Sequence, residues 1–152
     1  MKKITSIDLF AGVGGMRISL SKALKKMGYE DECKLYSEIN SYSQQTYEKN
    51  FSPTKLIEDI KSIKEKDIEN TIPDHDILLA GFPCQPFSRA GISKRKNLNR
   101  SHGFDDKEQG DLFFNIFNIL NIKKPKAFIL ENVQNLKTYQ NGAILKQMLK
   151  KV

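Results

Sequence analysis

The 152-residue sequence predicts an α/β domain whose mostly parallel sheet is covered by helices on both faces. Three observations lead there. Short, bounded apolar runs alternate with longer amphipathic stretches along the chain. The first apolar run leads straight into a glycine turn, Asp8-Leu9-Phe10-Ala11-Gly12-Val13-Gly14-Gly15. The residues best suited to chemistry, Glu38, Asp59, Cys84 and Glu131, each fall where such a run ends. In a parallel sheet those carboxyl ends form the ligand-binding edge.

Ile4 to Phe10 reads as a buried strand ending in the glycine turn. From Met16 to Met27, the residues Met16, Ile18, Leu20, Ala23, Leu24 and Met27 approximate one helical face, closed by Gly28. Lys34 to Ile39 is a second strand. Ser41 is placed to cap a helix running to Asn50, and Pro53 marks its exit. Lys55 to Ile60 is a third strand, followed by a charged, helix-like segment ending at Pro73. Asp76 to Ala80 is the fourth strand. Residues 85 to 109 carry little periodicity and much Gly, Ser, Asn and charge, the signature of a functional loop, often a lid. Asp111 to Ile122 returns to helical spacing, with Leu112, Phe113, Ile116, Phe117, Ile119 and Leu120 apolar. Lys126 to Leu130 reads as a buried fifth strand, and Gly142 to Val152 as an amphipathic helix. No internal repeat or linker interrupts the series, so a single domain is expected.

Hydrophobic residues make up 39% and charged residues 28%, as in ordinary soluble globular proteins. No apolar run approaches the roughly 20 residues that span a bilayer, so no membrane partner is expected. Met1-Lys2-Lys3-Ile4 is basic, but no long apolar stretch follows, which argues against a signal peptide. Two thiols in such a chain point to a reducing, cytoplasmic setting. Cys33 and Cys84 lack metal-type spacing, and His75 and His102 are the only histidines, so no zinc site is expected. The net charge of +7 favours a polyanionic partner. Arg89, Lys94, Arg95, Lys96 and Arg100 crowd one segment. They form either a solvated loop face or, beside a candidate nucleophile, a phosphate-contacting strip.

Gly12, Gly14 and Gly15 allow close backbone approach and lead into a helix N-terminus with free amides. Arg17 stands where a dinucleotide fingerprint would have its third glycine, which counts against a nicotinamide-dependent oxidoreductase. By itself the turn serves a structural corner equally well. Glu38 is placed either to accept two ribose hydroxyls or as a surface charge, and Asp59 either to meet an adenine amino group or to cap the next segment. Both ligand readings gain together, since a nucleoside draws ribose and base contacts from neighbouring strand ends. Cys84 sits in Gly81-Phe82-Pro83-Cys84-Gln85-Pro86-Phe87-Ser88. The alternative for a free cysteine is a small buried hydrophobe, which the flanking prolines disfavour. A Cys-His pair would need His75 or His102, and neither has a supporting motif. Glu131 ends the run Phe128-Ile129-Leu130, where a carboxylate is either a strand-exit charge or an acid put to use.

These residues closely resemble the cytosine-5 DNA methyltransferase family over essentially the whole chain. The glycine turn is similar to its first motif, Gly81-Phe82-Pro83-Cys84-Gln85-Pro86-Phe87-Ser88 to its catalytic Pro-Cys motif, and Glu131-Asn132-Val133 to its Glu-Asn-Val motif. Gly110-Asp111-Leu112-Phe113 looks like the helix start between them, and the order agrees. The resemblance implies a Rossmann-like methyltransferase sheet that uses S-adenosylmethionine. It implies that Asp8, Phe10, Ala11 and the glycine turn hold the cofactor, Phe10 by the adenine and the turn by the methionine part. Glu38 and Ile39 would lie at the ribose, and Asp59 and Ile60 at the adenine. Cys84 would be the nucleophile, with Pro83 beside it and at the cofactor edge. Glu131 would contact a flipped-out base, with Asn132 shaping that site. Gln85, Ser88 and the five basic residues would meet the DNA.

The resemblance also implies parts absent from these 152 residues. Family members continue with a Gln-Arg-Arg-type motif, a target-recognition region and a final motif that completes the cofactor pocket. The expectation is therefore residues 1–152 as a truncated catalytic and cofactor-binding domain, its sheet incomplete at the C-terminal end. Such a chain is a truncated product, a remnant, or one subunit of a split enzyme whose second polypeptide recognises double-stranded DNA. An accompanying restriction nuclease is common in bacterial members. Two rivals remain open: a tRNA cytosine methyltransferase, and a non-catalytic nucleic-acid-binding subunit or inactive fragment of the same fold.

Overall fold

A computed structural model describes residues 2–51, 54–82 and 110–151. Among these described residues, five strands and five α-helices follow one another as β1 (Lys2–Leu9), α1 (Gly15–Lys26), β2 (Tyr29–Ser37), α2 (Ser41–Asn50), β3 (Lys55–Ile57), α3 (Ile68–Thr71), β4 (Ile77–Gly81), α4 (Gly110–Lys123), β5 (Ala127–Glu131) and α5 (Ala143–Lys151). Single 3-10 turns occupy Ile60–Ser62, Glu65–Asp67, Gln134–Lys137 and Tyr139–Gly142. The strands form one sheet in the order β3-β2-β1-β4-β5. Every pairing is parallel. The strand order reverses between β1 and β4, which opens a crevice above the carboxyl end of β1.

The core lies on both sheet faces, as the alternation of strand and helix requires. Ile7, Leu9, Leu35, Leu78 and Ala80 meet Phe113, Ile116, Ile119 and Leu120 of α4 on one side. Spacings of three and four residues put those α4 side chains on a single stripe. Leu20 and Leu24 of α1 cover Leu79 on the other side. Ile116 and Leu78 are fully buried, and truncating either to Ala would cost about 2–5 kcal/mol.

Several element boundaries differ from the sequence reading, each for a local reason. β2 begins at Tyr29 rather than Lys34 and pairs with β1 from Lys2 onward. The charges of Glu30, Asp31 and Glu32 obscure this strand in the sequence, yet Asp31 accepts hydrogen bonds from Ser6 at 2.6 Å and Ser21 at 2.9 Å. Asn40, not Ser41, caps α2: its side-chain oxygen accepts from the Ser43 amide at 3.0 Å. β3 ends at Ile57, and the charged stretch before Pro73 forms two 3-10 turns and the four-residue α3 instead of one helix. Pro53 lies outside the described residues.

The fifth strand is present but not buried. β5 is the edge of the sheet, bonded to β4 alone among the described residues. Phe128 is 43% and Ile129 50% exposed. Its apolar composition reads as an interior strand, but burial depends on a neighbour that the strand's own sequence does not encode. No helix among the described residues is long and apolar enough to cross a membrane.

Candidate functional site

The glycine turn owes its shape to residues in left-handed backbone. Phe10, Gly12 and Gly14 have φ values of 56°, 55° and 90°. The Ala11 amide bonds the Ser37 carbonyl at 2.9 Å, and the Gly14 amide bonds the Ala11 carbonyl at 2.8 Å. These bonds bend the chain over the end of β2 before α1 begins. Gly14 is required for space as well, since a Cβ there would lie 2.2 Å from Phe51 Cε2.

Glu38 follows β2 immediately and binds two backbone amides. Gly12 N–H donates to Oε2 at 2.8 Å and Asn40 N–H to Oε1 at 2.7 Å. Gln44 of α2 donates from its side chain to the Glu38 carbonyl. The carboxylate is therefore fixed in orientation, with lone pairs left to accept further donors. Asp59 caps the 3-10 turn after β3, accepting the Lys61 amide at 2.9 Å. Capping was the simpler of the two sequence readings, yet the residue also lines the cleft.

That cleft has a volume of about 330 Å³. Phe10, Ser37, Glu38, Ile39, Glu58, Asp59, Ile60, Lys61, Gly81 and Leu112 line it. Phe10, Ile60 and Leu112 present apolar surface while the carboxylates present acceptors. Such a pairing suits a flat apolar ring attached to a polyhydroxylated sugar. Phe10, Glu38, Ile39, Asp59 and Ile60, all expected from the sequence, come together here. Ser37, Glu58, Lys61, Gly81 and Leu112 were missed, and only adjacency to expected residues could have signalled the first three.

Asp8 and Ala11 are placed otherwise. Asp8 is 1% exposed and its carboxylate accepts from the Tyr47 hydroxyl at 3.4 Å. Burial pushes its pKa up to about 7, opposed by the Tyr47 hydrogen bond and the nearby Arg17 charge. Ala11 is buried against Tyr36 and Tyr47. Gly15 borders a second cavity, of about 390 Å³, with Met16, Leu79, Ile129 and Glu131.

Glu131 is the last residue of β5 and pairs with Gly81 across the sheet. Its Oε2 lies 3.5 Å from where a Gly81 Cβ would stand. Glu131 is exposed, so the expected cost of a carboxylate on a buried strand does not arise. Asn132 donates from its side-chain amide to the Phe82 carbonyl at 3.1 Å, tying the ends of β4 and β5 together. Pro83, Cys84, Gln85, Ser88, Arg89, Lys94, Arg95, Lys96 and Arg100 lie outside the described residues. Among the described residues, no group of three or more His, Cys, Asp or Glu is arranged to hold a metal ion.

The model of the C-5 cytosine-specific DNA methylase family matches residues 4–152. The chain is 42% identical over 152 residues to a DNA-cytosine methyltransferase of Escherichia coli strain K12, covering 90% of this chain and 31% of that protein. It is 49% identical over 146 residues to Type II methyltransferase M.HaeII of Haemophilus aegyptius, covering 96% of this chain and 40% of the relative. Among solved structures, Entamoeba histolytica methyltransferase EhMeth superposes with a TM-score of 0.69 at 22% identity, over 99% of this chain and 43% of its own. S. pombe Dnmt2 methyltransferase does so with a TM-score of 0.66 at 22% identity, over 98% and 40%. These two likenesses show the shared sheet. The chain thus spans between 31% and 40% of the length of those curated relatives, and by its sequence it belongs to the C-5 cytosine-specific DNA methylase family.

Proposed function

We propose that residues 1–152 form the catalytic and cofactor-binding domain of an enzyme that methylates carbon 5 of cytosine in DNA. The observation that carries this reading is the Glu38 carboxylate, held by the Gly12 and Asn40 amides at the mouth of the cleft. It joins the glycine turn to a set of acceptors suited to ribose. In this reading S-adenosylmethionine has its ribose at Glu38 and Ile39, its adenine between Phe10 and Ile60 near Asp59, and its methionine part along Gly12 and Gly14. When bound, it supplies an electrophilic methyl group.

Family membership, together with the chain's own residues, supports the remaining roles. Carbon 5 of cytosine is a weak nucleophile until carbon 6 is attacked. The Cys84 thiolate forms a bond to carbon 6, and the ring electrons move to carbon 5 as an enamine. Glu131 hydrogen-bonds or protonates the ring nitrogen and stabilises the charge that develops. After carbon 5 accepts the methyl group, it loses its proton to a base and the thiolate is expelled. Cys84 follows Gly81 by three residues, a reach of at most about 11 Å, and Gly81 pairs with Glu131. Sequence spacing is thus compatible with both groups meeting one flipped-out base. Gln85, Ser88, Arg89, Lys94, Arg95, Lys96 and Arg100 are assigned to the DNA, the basic ones to its phosphates.

Target recognition is assigned to polypeptide beyond these 152 residues, continuous with them or separate, and the setting to the cytoplasm. The exposed apolar edge at β5 supports a covering partner. The test is transfer of labelled methyl from S-adenosylmethionine to cytosine-rich duplex DNA, alongside calorimetric binding of S-adenosylhomocysteine. Binding by the chain, with any transfer abolished by Cys84→Ala and restricted to DNA, is the expected result. A folded chain that binds no S-adenosylhomocysteine, or methyl transfer only to tRNA, overturns it.

A further inference from the structure

Beneath the glycine turn lies a buried polar cluster that the cleft does not use. Arg17 is 8% exposed, unusual for an arginine unless it is paired. Its Nη1 donates to the Tyr47 hydroxyl at 3.1 Å and to Thr54 Oγ1 at 3.3 Å. The Tyr47 hydroxyl passes the interaction on, donating to Asp8 Oδ2 at 3.4 Å. The guanidinium carbon sits 4.2 Å from the centroid of Phe51, which in turn fills the space where a Gly14 Cβ would stand. Tyr47 also packs under Ala11 and stacks on Tyr36 with ring centroids 4.1 Å apart. The floor of the turn is therefore an aromatic shelf, and Arg17 locks that shelf from below.

We propose that Arg17 and Tyr47 are positioning residues for the methionine end of S-adenosylmethionine, acting through Phe51 and the backbone of Ala11–Gly14. The inference rests on the cofactor assignment made above. Neither side chain lines the cleft. Neither is hydrogen-bonded to Glu38, whose carboxylate is held by Gly12 and Asn40. Loosening the shelf thus disturbs the turn more than the ribose and base contacts. A general loss of packing would weaken every part of the ligand alike. A positioning role separates the two ends of the ligand.

The test uses two probes on the 152-residue chain, titrated calorimetrically. S-adenosylhomocysteine carries the amino-acid end, and 5′-methylthioadenosine lacks it while keeping the adenosine and the sulfur. Tyr47→Phe keeps the ring and removes the hydroxyl, and Arg17→Met keeps much of the side-chain length and removes the stacked charge. Each is expected to weaken S-adenosylhomocysteine about 10-fold. Affinity for 5′-methylthioadenosine should stay within about 2-fold. Ile116→Val, in the core on α4 and outside the Ala11–Tyr36–Tyr47 cluster, should lower the melting temperature without changing the ratio of the two affinities. Should Arg17→Met not fold, Tyr47→Phe alone decides. Folded variants that weaken both probes equally, or neither, overturn the positioning role. A wild-type chain that binds neither probe overturns the cofactor assignment itself.

Discussion

The Gly12 amide donates to the Glu38 carboxylate at 2.8 Å, so one side chain ties the glycine turn to the end of β2. The other carboxylate oxygen takes the Asn40 amide at 2.7 Å, at the cap of α2. The glycine turn, the end of β2 and the start of α2 are thus aligned by a single side chain. Glu38 thus holds the backbone together while lining the cleft.

Glu38→Gln separates those roles from simple charge. An amide keeps one acceptor oxygen and sets an NH₂ against a backbone N–H, so one of the two bonds is lost. S-adenosylhomocysteine affinity should fall by about 10-fold or more while the fold persists. A dissociation constant within about 2-fold of wild type, read by calorimetry, contradicts the role given to this carboxylate.

The glycines of the turn differ in what they tolerate. At Gly12, φ is +55° and an added Cβ meets nothing within 4 Å. Gly12→Ala therefore costs only the left-handed penalty of roughly 1–2 kcal/mol. At Gly14, φ is +90° and the added Cβ lies 2.2 Å from Phe51. Gly14→Ala adds overpacking of about 1–3 kcal/mol to the same penalty. Denaturant unfolding should rank Gly14→Ala below Gly12→Ala, and the reverse order refutes the clash.

Asp8 makes stability depend on pH. Burial raises its pKa from 3.8 to about 7 in the folded chain, so the folded state holds the proton more tightly than the unfolded state. Its contribution is most favourable below pH 3.8 and declines as pH rises to about 7, then stays level. Asp76 acts in a different window. Lys126 and Thr5 hold its carboxyl below the usual range, so its contribution is present above pH 3.8 and lost only in stronger acid. Asp8→Asn should flatten the stability profile between pH 5 and 7, as measured by urea unfolding. An unchanged slope in the variant would falsify the assignment.

The edge strand carries its own consequence. Phe128, 43% exposed, and Ile129, 50% exposed, point to opposite faces of β5 beside two apolar cavities of about 390 Å³ each. An unpaired apolar edge is a template for association. The 152-residue chain should self-associate with rising concentration by light scattering. Phe128→Lys with Ile129→Lys should suppress this while leaving S-adenosylhomocysteine affinity within about 2-fold. Equal association of the double variant would locate the sticky surface elsewhere.

Local chemistry made much of this molecule legible without coordinates. The glycine turn is legible because left-handed backbone favours glycine, and Gly12 and Gly14 both adopt it. Glu38, Asp59 and Ile60 were readable because strand ends in parallel sheets converge, and all three line one cleft. β2 reads short in the sequence because charge at Glu30 and Asp31 hides a strand in which Asp31 is satisfied by Ser6 and Ser21.

Order along the chain, strand polarity and the identity of the turn follow from short-range patterns of apolar residues and glycine, and these are written in the sequence. The shelf of Arg17, Tyr47 and Phe51 could not be read there. Arg17 and Tyr47 are bonded across 30 positions of sequence, and nothing local distinguishes a buried arginine from a solvated one. Whether β5 is interior or edge was equally hidden, because burial is a property of neighbours. Those relations arise only when the chain closes on itself, since side chains far apart in sequence share desolvation, hydrogen bonds and packing space only in the folded state.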